Sequence, residues 1–486
     1  MVSAVEFDPA GGEPADEPIA TGAGRLATRI ARRIEDTVIR RGWPVGESLG
    51  SESDLRAYYG VGRPVLREAV RLVEHHQVAR MRRGPNGGLF VCAPDAEPAT
   101  RAMVIYLEYV GTGVADLLEA RSLLEPVAAR LAADCITEDG ITTLRAALRE
   151  EHARLSGPQC WAHDPVHGLL GRLSGNPLLH LFIDVLARLT TRYAQASRRR
   201  SPAAVDTARQ DSHAAHRAIA EAVIDGDGPR AQVALGTHLE CLASWVDPGR
   251  AQRRTRDPDT GVGGAAEPAG KLAEVLASRI HDDIAARGWP VGAVLGSESD
   301  LVARYGISRP ALREAVRLLE YHSVARMRPG PGGGLIVTEP EPQASVDTIA
   351  LLLDYERVTA GDFRIVRNAL ELGIVTRVTA RLAEAGAELP ERLGTTASQP
   401  CSARQPHRTG LFHTELAAIA GNPILTLFLS VVMALSPRYR ADDPPTTRAT
   451  PDEATLAHHR ILDAIRHGDT ALARHRMRRH LGALAR

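Results

Sequence analysis

The chain has 486 residues, 44% of them apolar and 4% aromatic, with 59 basic and 59 acidic side chains and a formal net charge of zero. That length holds several domains. The zero balance excludes a generally basic coat for nucleic acid, and no apolar run reaches the roughly 18 residues that cross a bilayer. The basic charge is almost all arginine and unevenly placed, which leaves room for local basic faces. Cys92, Cys135, Cys160, Cys241 and Cys401 are scattered without a CxxC spacing, as expected of thiols in a reducing cytoplasm.

Residues 1–20 are acidic and rich in Gly and Pro, without the basic start and apolar centre of a signal peptide, and read as a disordered arm. Arg25–Arg41 is amphipathic, with Leu26, Ile30, Ile34 and Val38 on one stripe. A second helix starts at the segment Gly50-Ser-Glu-Ser-Asp-Leu55, where Ser51 or Ser53 can cap free N–H groups and Glu52 and Asp54 suit the positive helix end. Gly60 supplies a sharp turn, and a third helix begins near Arg63-Pro64, where proline's missing N–H costs nothing. Val65, Leu66, Ala69, Val70, Leu72 and Val73 are expected to face inward, while Arg63, Arg67 and Arg71 recur every four residues on the outer face. Val78–Arg82 and Leu89–Val91 flank a glycine-rich tip and read as a β-hairpin carrying Arg80, Arg82 and Arg83. Three helices and a basic hairpin make a winged helix-turn-helix, expected over residues 21–93.

The whole pattern returns at an offset of 246 residues. Aligned without gaps, Arg41–Cys92 and Arg287–Thr338 are identical at 38 of 52 positions. Ser51, Arg63, Arg67, Arg71, Arg80 and Arg82 are answered by Ser297, Arg309, Arg313, Arg317, Arg326 and Arg328, and these twelve are the expected DNA contacts. Beyond each wing the periodicity becomes that of long helices. In the first copy they are expected at Thr100–Val110, Val114–Ala133, Ile141–Ser156, His163–Leu173, Pro177–Ser197, Thr207–Ile224 and Pro229–Trp245. The fold class is therefore mainly α, with two winged helix-turn-helix domains (21–93 and 270–339) alternating with two all-helical bundles (97–246 and 343–486), joined by a linker at 247–269. Residues 386–406 have lost most of the helical period of their counterpart, so a loop or broken helix is expected there.

Histidines are the polar candidates for the bundle interiors. His163 and His167 share a helix face, and His216 and His238 lie on helices flanking the Gly226-Asp227 turn. His413, His458 and His480 recur in copy two with the same 22-residue spacing between the last pair. Three imidazoles with a carboxylate or water suit Zn²⁺, Ni²⁺ or Mn²⁺. No HExxH and no partnered nucleophile accompanies them, which favours a binding protein over a metal-dependent enzyme.

Residues 41–91 resemble the N-terminal domain of the GntR family of bacterial transcription regulators, through Ser51-Glu52, Leu55, Tyr59-Gly60-Val61, Arg63, Leu66-Arg67-Glu68-Ala69 and the glycine wing. Ser53 and Ser299 stand where that family usually has an arginine. The helical half resembles the FCD ligand-binding domain of the FadR branch, through Arg121 and Glu125, His167 with Ser174-Gly-Asn-Pro177, His216, Gly226-Asp227 and His238. That resemblance implies a divalent metal held by an aspartate and three histidines, with a carboxylate effector bound to the metal. The histidines carry over as His167, His216 and His238; the aspartate's position is His163, with Asp164 beside it, and either would complete site one. Copy two has Thr409 there, so the metal is expected in copy one more than in copy two. Arg121, Asn176, Arg367 and Asn422 are the expected effector contacts, with a structural salt bridge to Glu125 as the equal alternative for Arg121.

Together these readings describe a cytoplasmic, nucleoid-associated bacterial regulator. It is expected to be a repressor that binds a palindromic double-stranded operator and answers to a small carboxylate, as a pseudo-dimer within one chain or as a homodimer. The alternatives are a DNA-architectural protein with degenerate effector domains and a metal-dependent enzyme.

Overall fold

The computed structural model describes residues 23–84, 87–155, 165–196, 202–245, 269–330, 332–340, 342–386, 389–398, 410–441 and 450–484. The expected arm at 1–20 and nearly all of the expected linker lie outside them. The described residues up to Ala93 form one compact unit and those from Pro94 onward another.

The first unit is a three-helix reader. Helix α1 (Ala23–Arg40) packs on α3 (Arg63–His75), and α2 (Glu52–Tyr59) leads into α3. Ser51 caps α2 by accepting from the Asp54 N–H, while the Asp54 carboxylate accepts from the Ser51 N–H, a reciprocal capping box. Gly60 ends the helix at φ 63°, a left-handed conformation that glycine adopts without steric cost. Leu66, Ala69, Val70 and Val73 are buried on α3, whereas Val65 and Leu72 are only half-buried, so the inward stripe is narrower than the sequence suggests. The wing pairs β1 (Ala79–Arg82) with β2 (Gly88–Val91), antiparallel in the register Ala79 to Val91. A Cβ on Gly88 would sit 2.7 Å from the Gly50 carbonyl oxygen, so this wing position needs glycine for the close approach of two backbones.

In the second unit, bundle one is built from α4 (Ala96–Tyr109), α5 (Val114–Cys135), α6 (Glu138–Leu155), α7 (Pro165–Leu173), α8 (Pro177–Ala196), α9 (Pro202–Ile224) and α10 (Gly228–Trp245). Reader two follows with α11 (Ala269–Ala286), α12 (Glu298–Tyr305) and α13 (Arg309–Tyr321), and a wing of β3 (Ala325–Arg328) and β4 (Gly334–Val337). Bundle two comprises α14 (Pro342–Tyr355), α15 (Ala360–Ala385), α16 (Glu391–Ala397), α17 (Leu411–Ala420), α18 (Pro423–Ala441), α19 (Pro451–Arg466) and α20 (Thr470–Leu484). Where copy one has the 18-residue α6, copy two has the 7-residue α16. Leu389-Pro390 stands in front of it, and proline removes a helix donor.

The two bundles share one core. Leu117, Leu124, Phe182 and Leu186 of copy one cluster with Phe363, Leu370, Phe428 and Val432 of copy two. At the centre the Phe182 and Phe428 rings stack with centroids 3.9 Å apart and planes 3° from parallel. These two positions correspond at the offset of 246, so the contact is self-complementary, the signature of a twofold interface. Asn176 Nδ2 donates to the Asp362 carbonyl, and Asn422 Nδ2 donates to the Asp116 carbonyl, the matching exchange. The symmetry is incomplete, because Arg377 pairs with Glu119 while their counterparts are Leu131 and Ile365.

Candidate functional site

In each reader the arginine face is open to solvent. On α3 the side chains of Arg63 and Arg67 are 59% and 64% exposed, and Arg71 stands beside them. Arg309, Arg313 and Arg317 repeat the face on α13, and Arg80, Arg82, Arg326 and Arg328 are exposed on the wings. Arg82 lies over the Phe90 ring at 4.4 Å, whereas Arg328 donates to the Gly332 carbonyl instead, because Ile336 replaces the phenylalanine. Glu52 ties Arg63 at 2.7 Å, and the arginine's hydrogen bond is the main force lowering the Glu52 carboxyl. In reader two the tie shifts one turn, to Arg313 and Glu298 at 3.2 Å, leaving Arg309 without an ion pair among the described residues. The Ser51 and Ser297 hydroxyls, expected on DNA, are engaged in the capping boxes of their own helices.

Each bundle holds a buried triad. In copy one α7 carries His167, α9 His216 and α10 His238, and their ligand atoms lie within 4.8 Å of one another. His216 Nε2 is 3.3 Å from His167 Nε2 and 3.2 Å from His238 Nε2. On the far side of two rings sit carboxylates: His167 Nδ1 lies 2.6 Å from Glu125, and His216 Nδ1 lies 2.6 Å from Glu151. Burial alone would push the Glu125 carboxyl up, but Arg121 and His167 outweigh it and hold the group at about 2. A carboxylate only accepts, so each of these Nδ1 atoms carries the hydrogen, and when the ring is neutral its Nε2 presents a lone pair. Neutral imidazole nitrogens facing one another at this distance in a buried core suit a cation between them. The donor set therefore fits a divalent metal held by His167, His216 and His238.

Copy two repeats the triad with different support. His458 Nε2 is 3.1 Å from His480 Nε2, which is 3.4 Å from His413 Nε2. Glu371 receives His413 Nδ1, as Glu125 receives His167 Nδ1. The position of Glu151, however, is Ala397, so the His458 ring meets a backbone group there instead of a carboxylate. Phe412, in place of Val166, stacks face to face on the His458 ring at 4.0 Å. Burial first, then the charge of His413, pushes His458 down to about 3 and His480 in the same direction.

Of the other expected site residues, Arg121 is buried, donating to Glu125 at 2.6 Å and to Thr190 Oγ1 at 3.3 Å. Arg367 binds Glu371 likewise, but among the described residues its buried Nη2 has no hydrogen-bond partner, nor has the hydroxyl of Ser436, the counterpart of Thr190. Asn176 and Asn422 do not face the triads. Their side chains cap α8 and α18 and cross to the opposite bundle, which removes them from the effector set. His163 and Asp164 lie outside the described residues. Sequence reasoning missed Glu151, whose signal was its change to alanine in copy two, and Thr190, which carried none.

An arginine-faced winged helix joined to a bundle with a sealed histidine site defines a DNA-binding regulator that answers to a ligand. The FCD domain pattern matches residues 116–240 and 363–483, and that of the bacterial regulatory proteins of the gntR family matches residues 26–91 and 272–334. The chain belongs to the GntR family of transcription regulators with FCD domains, and carries both domains twice. It is 26% identical over 239 residues to the HTH-type transcriptional repressor NanR of Salmonella arizonae, covering 48% of this chain and 89% of that one. The NanR of Escherichia coli K12 is 26% identical over 228 residues, covering 46% and 84%. Among solved structures, a Streptococcus agalactiae GntR aligns at 23% identity and a TM-score of 0.33, covering 45% of this chain and all of that one. These families are transcription regulators rather than enzymes, and among the described residues no helix is long and apolar enough to cross a membrane.

Proposed function

We propose that the protein is a repressor that reads a two-part, near-palindromic operator with its two readers and changes its grip when a small carboxylate binds a divalent metal in bundle one. The observation that carries the effector half is the convergence of three Nε2 atoms beside the buried Arg121–Glu125 pair. His167, His216 and His238 would hold the metal. When bound, it supplies a positive centre for a carboxylate oxygen and leaves a coordination position open. Glu125 and Glu151 orient the rings, and Arg121 keeps Glu125 ionised. The DNA half rests on the two exposed arginine faces, whose forked donors suit guanine edges and phosphates. Curated relatives named as repressors support the sign of regulation. The self-complementary contact between the bundles supports two readers acting within one chain, and membership of a family of bacterial DNA-binding regulators supports a place in the cytoplasm on the nucleoid.

The test is selection of bound sequences from random DNA with the purified chain, followed by affinity measurements with and without small dicarboxylates and Zn²⁺. A two-part site whose affinity responds to acid only when Zn²⁺ is present, and not at all in His216→Ala, is the expected result. An undiminished response in His216→Ala rejects the metal assignment.

A further inference from the structure

We propose that bundle one is wired to reader two, the reader that follows it in the chain, so that the state of triad one acts on the half-site read by Arg309 and Arg313. The inference deepens the reading of triad one as a ligand site and rests on it. Two sets of contacts carry it, one packed and one polar.

The packed set is a core completed from outside. Ile105 of α4 is buried in the apolar cluster of reader two with Leu276, Ile280 and Trp289, and Tyr109 packs against it. The Tyr109 and Trp289 rings meet edge-on at 5.6 Å, and the Tyr109 hydroxyl donates to Glu339 at 2.9 Å. Arg101 of the same helix donates to Ser278 of α11 at 3.1 Å. A domain whose core borrows side chains from its neighbour moves with that neighbour, because close-packed interiors shift as units.

The polar set runs from the triad to the reader. His167 meets Glu125, Glu125 holds Arg121, and Arg121 reaches Thr190 on α8. Two residues further along the same helix, Arg192 grips the buried Glu108 of α4 and, at 2.7 Å, Asp282 of α11. His281 of α11 places Nε2 3.2 Å from the other oxygen of Glu108, an ion-pair distance without hydrogen-bond alignment. Every link is a contact, and α8 is the rod between its two ends. It also lies against the helix bearing His167, since a Cβ on Gly171 would touch Ile183 at 3.3 Å. In copy two the matching step is open, because among the described residues Arg367 Nη2 and the Ser436 hydroxyl have no hydrogen-bond partner. Position 35 of reader one, the counterpart of His281, is a glutamate hydrogen-bonded to His76 of the same reader. The relay is therefore a property of one half of the molecule.

The test uses the full-length chain with Arg63→Ala and Arg67→Ala, so that reader two alone binds the selected DNA, and Zn²⁺ as the probe. Zn²⁺ should move the Kd by about five-fold or more relative to EDTA, the lower end of ordinary coupling between sites. His216→Ala should abolish that shift and His458→Ala should leave it. Arg192→Met, which keeps the side-chain bulk, should retain Zn²⁺ binding by calorimetry yet lose the shift. A shift that survives Arg192→Met or disappears in His458→Ala overturns the wiring. So does a wild-type chain that takes Zn²⁺ at triad one without altered hydrogen exchange in residues 269–286, a readout needing no variant. A chain that takes no Zn²⁺ at triad one rejects the underlying site as well.

Discussion

The two histidine triads have the same three ligands, the last pair 22 residues apart in each, yet they are held differently, and the contrast separates what a site needs from what the fold needs. The part they share is the buried Arg–Glu–His column, Arg121–Glu125–His167 in one bundle and Arg367–Glu371–His413 in the other. Both glutamates are held at about 2 against the burial that would raise them. The part that differs is the outer support of the second histidine: Glu151 on His216 in copy one, Ala397 and the Phe412 ring at His458 in copy two. A column kept in both copies is what the helices need to pack around buried charge. That column also orients one imidazole in each copy; the second orienting carboxylate, Glu151, is kept in one copy only and is what the proposed metal would ask of its ligand.

Substitutions in matched pairs would break or sharpen that contrast. The largest effect is expected from Glu125→Ala and Glu371→Ala, which strand a buried arginine and should each cost about 3–5 kcal/mol in urea unfolding. Equal losses are expected; a loss in copy one alone would end the claim that the column is structural. Next comes metal. Glu151→Ala should weaken Zn²⁺ binding by about 10–100-fold in calorimetry, and Ala397→Glu with Phe412→Val should strengthen it in copy two. In the readers, Arg67→Ala and Arg313→Ala should each lose about 1–3 kcal/mol of base discrimination, at opposite half-sites, in anisotropy titrations.

Acid gives a weaker handle on the Arg192–Glu108–His281 joint. Burial would raise Glu108, but His281 and Arg192 outweigh it and leave its carboxyl below the ordinary 4.5. Its folded value is the lower one, so its contribution is complete above about 4.5 and is lost as the pH falls through the folded value. Exchange protection of residues 269–286 should therefore hold from pH 7 to about 5 and decline below, less steeply in Glu108→Gln. The smallest effect is at Ser308, whose hydroxyl caps α13 where reader one has Gly62. Ser308→Gly should cost only a few tenths of a kcal/mol, and Ser308→Ala about 1.

Much of this was legible from the chain alone, for identifiable reasons. The constant offset of 246 residues announced two copies, and Gly60 with the arginines after it announced the turn and the exposed face. The 22-residue interval between His216 and His238 spans two helices joined by a tight turn, so it placed both rings at one level. Glu151 was hidden because a glutamate on an amphipathic helix looks like part of a solvated face. Asn176 and Asn422 misled because a short polar residue before a proline-led helix suits both a ligand contact and a cap. The joint of Glu108 with His281 could not be read because its two halves lie 173 positions apart, without a shared period.

The stacked Phe182 and Phe428 rings have a consequence for how such a regulator works in small numbers. Two separate subunits must find each other before they can read a divided site, so the competent species falls with the square of concentration. A tether fixes the local concentration of the second half at a level set by chain length, however dilute the cell makes the protein. On the proposed reading, in which this surface pairs the two copies within one chain, a second chain is not needed to bring two readers together.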